Sequence, residues 1–378
     1  MHADQEPPHQ LFGVRVQFDQ NAGPSAVDHR GKTVIGRKKR RILQVSFWAA
    51  LPAARPPAAA GTKIDITMLD KWYRHVNCWA GRPDSLRPSV AGQADGPGCK
   101  DAKMGDIRVG GRNNVVLAGR DDKPVMMLAN GFGCDQNMWR LIVPGLAGDY
   151  RVVLFDHVGS GGSELSAWRA DRYATLDGYT DDIVALCHEL GLRQVVLVAH
   201  SVSAMMAVLA AIREPELFSK LILIGPSPRY IDDAGYRGGF SQADIDDLLA
   251  SLDSNYLGWS AAMAPVIMGN PERPALSDEL ANSFCRTDPE IARAFARTTF
   301  LSDNRSDLHQ VTVPTLILQC SQDVIAPPEV GEYVQAQIPG SALVTLPATG
   351  HCPHLSAPEV TLAAIRSFAA ADGGGQHG

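Results

Sequence analysis

A single serine stands where a buried-looking apolar run stops and an alanine-rich segment starts. Residues 194–199 (Gln-Val-Val-Leu-Val-Ala) have the continuous aliphatic and β-branched character of a core strand. His200 and Ser201 come next, and Val202-Ser203-Ala204-Met205-Met206 opens a helical segment. A strand that passes into a helix through one serine must turn sharply, and that turn lifts the hydroxyl above the strand end. Strand and helix then approach so closely that the residues two before and two after the serine have to be small. The usual pattern is Gly-x-Ser-x-Gly. This chain has Ala199 and Ser203 at those places, the next smallest choices, so the turn is feasible but tighter. The pentapeptide alone is weak evidence, because Ser201 as an ordinary helix N-cap is the competing reading.

The residues downstream of Ser201 decide between the two. Residues 313–320 read as another buried strand and run into Ser321-Gln322-Asp323, a carboxylate just past a strand end. Open α/β sheets keep their ligand crevice at that end of the strands. Residues 341–346 form a shorter strand, followed by Pro347-Ala348-Thr349-Gly350-His351. After Asp323 the histidines are His351, His354 and His377. His377 lies in a glycine-rich tail that cannot fix a ring. His351 is preferred over His354 because Gly350 lets the chain turn its ring inward. A serine hydroxyl is a poor nucleophile until an imidazole takes its proton, and the imidazole needs a carboxylate to fix its tautomer. Taken singly, Asp323 reads as a solvated turn residue and His351 as a satisfied buried histidine; three hits in this order, each at a strand end, outweigh those readings. Residues 124–129 are a further strand ending in Asn130-Gly131-Phe132-Gly133. Backbone N–H groups after such a strand, with the one after the nucleophile, form an oxyanion hole. That nominates Phe132 and Val202 as main-chain donors.

At this point the chain resembles a known family, the RsbQ-type α/β-hydrolases, which are similar to the plant strigolactone and karrikin receptors. The resemblance is carried by residues 130–139 (Asn-Gly-Phe-Gly-Cys-Asp-Gln-Asn-Met-Trp), 155–161 (Phe-Asp-His-Val-Gly-Ser-Gly) and His200-Ser201-Val202. Residues 225–230 (Gly-Pro-Ser-Pro-Arg-Tyr), 284–289 (Phe-Cys-Arg-Thr-Asp-Pro) and 350–354 (Gly-His-Cys-Pro-His) carry it further. It covers roughly residues 107–370. It implies Ser201, Asp323 and His351 as the triad, with the Phe132 and Val202 N–H groups as oxyanion donors. It also implies an alternative role in signalling: binding or slow hydrolysis of a small hydrophobic ligand, and activation of a PAS-domain phosphatase in sigma-factor regulation. Ser203 is the departure from the elbow pattern.

The remainder of the chain sets bounds. The net charge of −6 argues against a nucleic-acid partner. Seven scattered cysteines with no metal-like spacing suit reduced thiols in a cytoplasmic protein, and Cys320 and Cys352, near the acid and base, read as packing residues. Residues 1–103 lack periodicity and are dotted with Pro, Gly and charge, so they are expected to be a disordered extension. Within them, the basic run Arg37-Lys38-Lys39-Arg40-Arg41 precedes mostly apolar residues 42–51 and a Pro/Ala stretch, an order that mimics a secretory signal. It begins some forty residues in and is too short to span a bilayer, so no membrane association is expected. Met104 stands just before the family resemblance, and translation from it would omit the extension altogether.

From residue 107 strands alternate with helices, which implies parallel βαβ units. Residues 150–155 and 221–224 are further strands, and residues 175–190 a crossover helix. Between residues 227 and 305 the pattern turns wholly helical. Ile245, Leu248, Leu249 and Leu252 share one helix face; residues 256–268, 277–285 and 289–300 come after, the last behind an Asp288 N-cap with proline at the first position. The expected architecture is therefore an α/β-hydrolase fold over residues 104–378, a mostly parallel sheet flanked by helices, with an inserted four-helix lid at about 227–305. Phe132, Tyr256, Trp259, Met263, Val266 and Phe295 would line an apolar pocket, each with packing of lid on core as its alternative. The expected chemistry is nucleophilic acyl transfer on a small, mostly apolar ester or lactone, without metal or organic cofactor. Carbon–carbon bond hydrolases share this triad and stay open.

Overall fold

The computed structural model describes residues 13–17, 44–48 and 111–371. The chain divides into two units, Met1–Gly98 and Cys99–Gly378. In the first, strands β1 (Gly13–Gln17) and β2 (Gln44–Trp48) pair antiparallel, Gly13 opposite Trp48. The sequence pattern there predicts no strand. The rest of the expected extension, the basic run included, lies outside the described residues.

The second unit is built on a seven-stranded sheet in the order β3-β5-β4-β6-β7-β8-β9. The strands are β3 (Val116–Gly119), β4 (Val125–Ala129), β5 (Arg151–Leu154), β6 (Val195–His200), β7 (Phe218–Ile224), β8 (Thr315–Gln322) and β9 (Ala342–Thr349). Only β3, at one edge, runs antiparallel to its neighbour. Two strands are longer than expected. β7 begins at Phe218 and β9 continues to Thr349, because pairing with β6 and β8 holds residues whose own sequence is polar or interrupted by proline.

Alternation along the central strands separates two cores. Met127, Ala129, Val153, Leu197 and Ala199 face one side, with helices α1 (Leu176–Glu189), α2 (Val202–Arg213) and α7 (Pro328–Gln337) packed there. Met126, Leu128, Val152, Val196 and Val198 face the other, covered by α8 (Pro358–Ala370). The helical stretch after β7 comprises α3 (Gln242–Ser254), α4 (Tyr256–Met268), α5 (Pro274–Phe284) and α6 (Pro289–Phe300). A Ser241–Asp244 capping box opens α3, and the Asp288 carboxylate accepts from Glu290 N and Ile291 N ahead of Pro289 in α6. Tyr256, Trp259, Leu280, Phe284 and Phe300 from these helices join Cys134, Met138 and Leu355 in a third apolar cluster. Among the described residues no helix is long and apolar enough to cross a membrane.

Sheet order places the functional ends together. β5 and β6 lie on opposite sides of β4, so the chain reverses its winding there, and a crevice opens outside the carboxyl ends. Register pairs Ala129 with Ala199, which sets the loop after β4 beside the turn after β6. The ends of β8 and β9 complete the rim with Asp323 and His351.

Candidate active site

Ser201 has φ 58° and ψ −128°, a conformation that L residues avoid. Its N–H donates to Ile224 O (2.8 Å), which ties the turn to the end of β7 and holds the strained geometry. Val202 is the first residue of α2, where backbone N–H groups have no intrahelical partner. Ser203 is fully buried, and its hydroxyl donates to the Asn130 carbonyl. Its oxygen also lies 2.7 Å from His157 Nε2, which is 3.1 Å from the same carbonyl. A carbonyl only accepts and the Ser203 hydroxyl gives its proton to that carbonyl, so His157 carries its proton on Nε2 and shares it between Ser203 Oγ and Asn130 O. The Asn130 side chain donates to Phe155 O (2.9 Å), so both of its ends are held. The extra hydroxymethyl group of Ser203 is thus accommodated by a hydrogen bond at the root of the Gly131–Phe132 loop.

Three side chains lie in a line. His351 Nε2 is 2.8 Å from Ser201 Oγ, and His351 Nδ1 is 2.7 Å from Asp323 Oδ2. The other Asp323 oxygen accepts from Ile325 N (2.8 Å) and Ala326 N (3.1 Å), which fixes the carboxylate plane. All three residues are buried. The loop bearing His351 is held by Gly350 N donating to Gln322 O (2.7 Å), by His351 N donating to Ile267 O (2.8 Å), and by the His200 ring. Gly350 has φ 86°, and a Cβ there would stand 1.9 Å from Met268 O, so no other residue fits. His354, the other histidine weighed for this place, is buried against Trp139 and His200, with ring centroids 4.7 and 4.6 Å away. The hydrogen bond to Ser201 comes from His351 instead.

His200 donates from Nε2 to the carbonyl of His351 (2.7 Å), and its bare Nδ1 packs on Gly131, where a Cβ would meet it at 2.7 Å. Burial, reinforced by His351, lowers His200 to about 3. Burial likewise lowers His157 to about 4 and His354 well below the usual histidine range. Three neutral rings therefore surround the line at neutral pH, and none competes with His351 for a proton.

Ser201 and His351 open onto a cavity of about 40 Å³. Of the six residues expected to line a pocket, Phe132 and Trp259 do so. Tyr256, Met263, Val266 and Phe295 do not line it. Tyr256 stacks on Trp259 and donates its hydroxyl to Phe284 O (2.7 Å). Phe295 stacks on Tyr179 behind Phe132, so it joins the helices to the core. Met263 packs on the third cluster, and Val266, half-buried, sits beside it on α4. The cavity is completed by Tyr230, Ile267, Leu280, Phe284, Thr299 and Phe300, and by two buried thiols, Cys134 and Cys352. Cys352 thus lines the cavity beyond the packing expected of it, whereas Cys320 is in the core beneath the sheet. Tyr230, fully buried, shares the cavity wall with Ser201. Sequence reasoning missed it although residues 225–230 come directly after β7, a strand end like those already chosen. Among the described residues no group of three or more His, Cys, Asp or Glu side chains is placed to hold a metal ion.

Comparison with known proteins agrees with this architecture. Residues 126–364 match the profile of the Alpha/beta hydrolase family. A probable esterase of Oryza sativa subsp. japonica is 41% identical over 251 residues, 66% of this chain and 93% of that protein. "Karrikin insensitive 2 receptor IA" of Petunia hybrida is 41% identical over 249 residues, 66% of this chain and 90% of that one. A solved hydrolase structure from Oleispira antarctica superposes with TM-score 0.67 at 40% identity, covering 68% of this chain and 94% of its own. By profile, by sequence and by the order of its strands, the chain belongs to the alpha/beta hydrolase family.

Proposed function

We propose that the protein hydrolyses small, mostly apolar esters or lactones, with Ser201 as nucleophile, His351 as general base and acid, and Asp323 as its orienting carboxylate. The observation that carries this is the unbroken hydrogen-bonded line from Asp323 through His351 to Ser201, opening into an apolar cavity. His351 Nε2 takes the hydroxyl proton as Ser201 Oγ attacks the carbonyl carbon. Asp323 stabilises the imidazolium that forms. The N–H groups of Phe132 and Val202 receive the oxyanion; two such donors are worth several kcal/mol to the transition state. His351 returns the proton to the leaving oxygen, giving a Ser201 acyl ester, and then activates water to release the acid. Every group in these steps belongs to the chain or to water. Helices α3 to α6 act as a lid, with Trp259 and Ile267 of α4, Leu280 and Phe284 of α5, and Thr299 and Phe300 of α6 in the cavity wall. The relatives' names as esterases support this chemistry. In the test, Ser201→Ala and His351→Ala each lower kcat on a p-nitrophenyl short-chain ester by several orders of magnitude, and the double variant loses little more. A mild His351→Ala with an inactive His354→Ala would overturn the assignment.

A second reading, slow turnover in the service of signalling, is favoured by the relatives named as receptors. It predicts a burst of one product per active site, then turnover far below the ordinary enzyme range of about 1–10³ s⁻¹. A gene for a PAS-domain phosphatase beside this one would favour it further.

A further inference from the structure

The peptide between Gly131 and Phe132 carries the Phe132 N–H at one end and the Gly131 carbonyl at the other. That carbonyl accepts from Cys134 N (3.2 Å). The peptide that supplies the Cys134 N–H has the Gly133 carbonyl at its far end, and this carbonyl accepts from the Ser283 hydroxyl (3.0 Å). Two peptide units therefore stand in one hydrogen-bonded row, which starts at Ser283 and ends at the N–H assigned to the oxyanion. Ser283 lies in the last turn of α5, is 3% exposed and does not line the cavity, so its hydroxyl meets the loop and not a substrate. A buried helical serine commonly turns back to a carbonyl four residues earlier, as Ser260 does to Tyr256 O (2.8 Å). Ser283 instead reaches 150 residues up the chain. Its neighbours seat the same loop. Gly133, with φ 66°, lies against Phe284, whose ring a Cβ would meet at 2.3 Å, and Arg286 pairs with Asp135 (2.8 Å).

We infer that Ser283 is a positioning residue for the oxyanion hole, acting on the Phe132 N–H through the Gly133–Cys134 and Gly131–Phe132 peptides. Two effects run along the row. A peptide that accepts a hydrogen bond at its carbonyl becomes a better donor at its N–H, so each bond strengthens the next. The row also fixes direction, because the glycines on either side of Phe132 leave the loop free to swing, and an oxyanion donor helps only when aimed at the oxygen that gains charge. This rests on the proposed hydrolase reading and deepens it. Part of the transition-state stabilisation then comes from a lid residue outside the substrate cavity.

The test sets hydrolysis of p-nitrophenyl acetate beside binding of 1,1,1-trifluoro-2-butanone. Ser201 Oγ adds to the carbonyl carbon of this ketone, the Ser201 proton passes to His351, and the carbonyl electron pair becomes an oxyanion. Fluorine-19 NMR reads that hemiketal directly. Ser283→Ala lowers kcat/KM about tenfold and weakens the ketone by the same factor within about threefold, because both depend on the oxyanion. Ground-state binding does not: the affinity of Ser201→Ala protein for the ester, read by ligand-observed NMR, changes less than about twofold when Ser283→Ala is added. Ser283→Thr keeps the hydroxyl and stays within about threefold of native, and Ser283→Cys, a weak donor, falls between Thr and Ala. Ser260→Ala removes a buried lid hydroxyl that has no part in the row, and leaves both readouts within about twofold of native. A ketone affinity that Ser283→Ala leaves within about threefold of native, or an equal loss of kcat/KM in Ser260→Ala, overturns the inference alone. Native protein that forms no hemiketal and hydrolyses no ester overturns the hydrolase reading and the inference with it.

Discussion

Replacing Ser203 isolates what the altered elbow does. Its hydroxyl is one of two donors to the Asn130 carbonyl, the other being His157 Nε2–H at 3.1 Å. Ser203→Ala removes the hydroxyl's bonds to Asn130 O and from His157 Nε2 but leaves those two groups paired with each other, so the loss is about 1 kcal/mol. Ser203→Gly adds roughly another 1 kcal/mol for a flexible residue inside a helix. For a domain of this size, 1 kcal/mol moves Tm by about 2–4 °C, so the two variants should melt about 3 and 6 °C lower. Activity responds differently. The Phe132 N–H is set by a loop that Asn130 still holds at both ends, through His157 and through its own side chain on Phe155 O. Both variants therefore keep kcat within about fivefold of native on p-nitrophenyl acetate. Removing both donors, with Ser203→Ala and His157→Phe together, strands a buried carbonyl and frees the oxyanion loop. It costs more than the sum of the single changes in stability, and misplacement of one oxyanion donor costs about a hundredfold in kcat. Thermal melts monitored by circular dichroism and steady-state kinetics give both readouts. A fall in kcat beyond tenfold for Ser203→Ala with unchanged Tm, or simple additivity in the double variant, would refute the reasoning.

The surroundings of the line make two more outcomes measurable. His157, His200 and His354 are held neutral by burial, with folded values below the unfolded one near 6.5. The stability each contributes is present above about pH 6.5 and lost as pH falls toward its folded value, at about 1.4 kcal/mol per pH unit per ring. Urea midpoints measured from pH 7 to pH 5 should drop with a slope of about three protons, and a flat profile would show that the rings are charged or exposed. Gly350→Ala forces a Cβ against Met268 O and tilts the His351 loop. It should lower kcat/KM at least tenfold while circular dichroism shows a folded protein, since small misplacements of a catalytic group are costly; near-native activity would mean that the loop tolerates the change.

How far the sequence carries depends on what fixes each feature. Ser201, Asp323 and His351 lie at the ends of strands whose aliphatic runs are unmistakable, so local pattern alone brought them to one rim. The helices after β7 announced themselves through i, i+3, i+4 spacing and the Asp288-Pro289 start. Pocket lining was less legible, because every helix face in that insertion carries apolar residues and only packing decides which face turns to the cavity. Phe295 and Tyr256 were drawn into contacts with Tyr179, Trp259 and Phe284 that no periodicity reveals. Tyr230 comes from a segment without strong periodicity, and its place is set by the end of β7; Thr299 is a polar residue on the buried face of an otherwise legible helix. The buried roles of His157 and His200 depend on single carbonyls more than 25 residues away in sequence, a distance over which local pattern is silent.

Ser201 alone should be an activated nucleophile, and a fluorophosphonate probe tests this most directly, since such a reagent loses fluoride to an activated serine oxygen and leaves a stable phosphonyl ester. Intact-mass measurement should show one adduct per chain, mapped by peptide sequencing to the segment containing Ser201, and lost in His351→Ala protein. An adduct on a different residue, or ester hydrolysis that persists in fully labelled protein, would contradict the assignment of Ser201, His351 and Asp323.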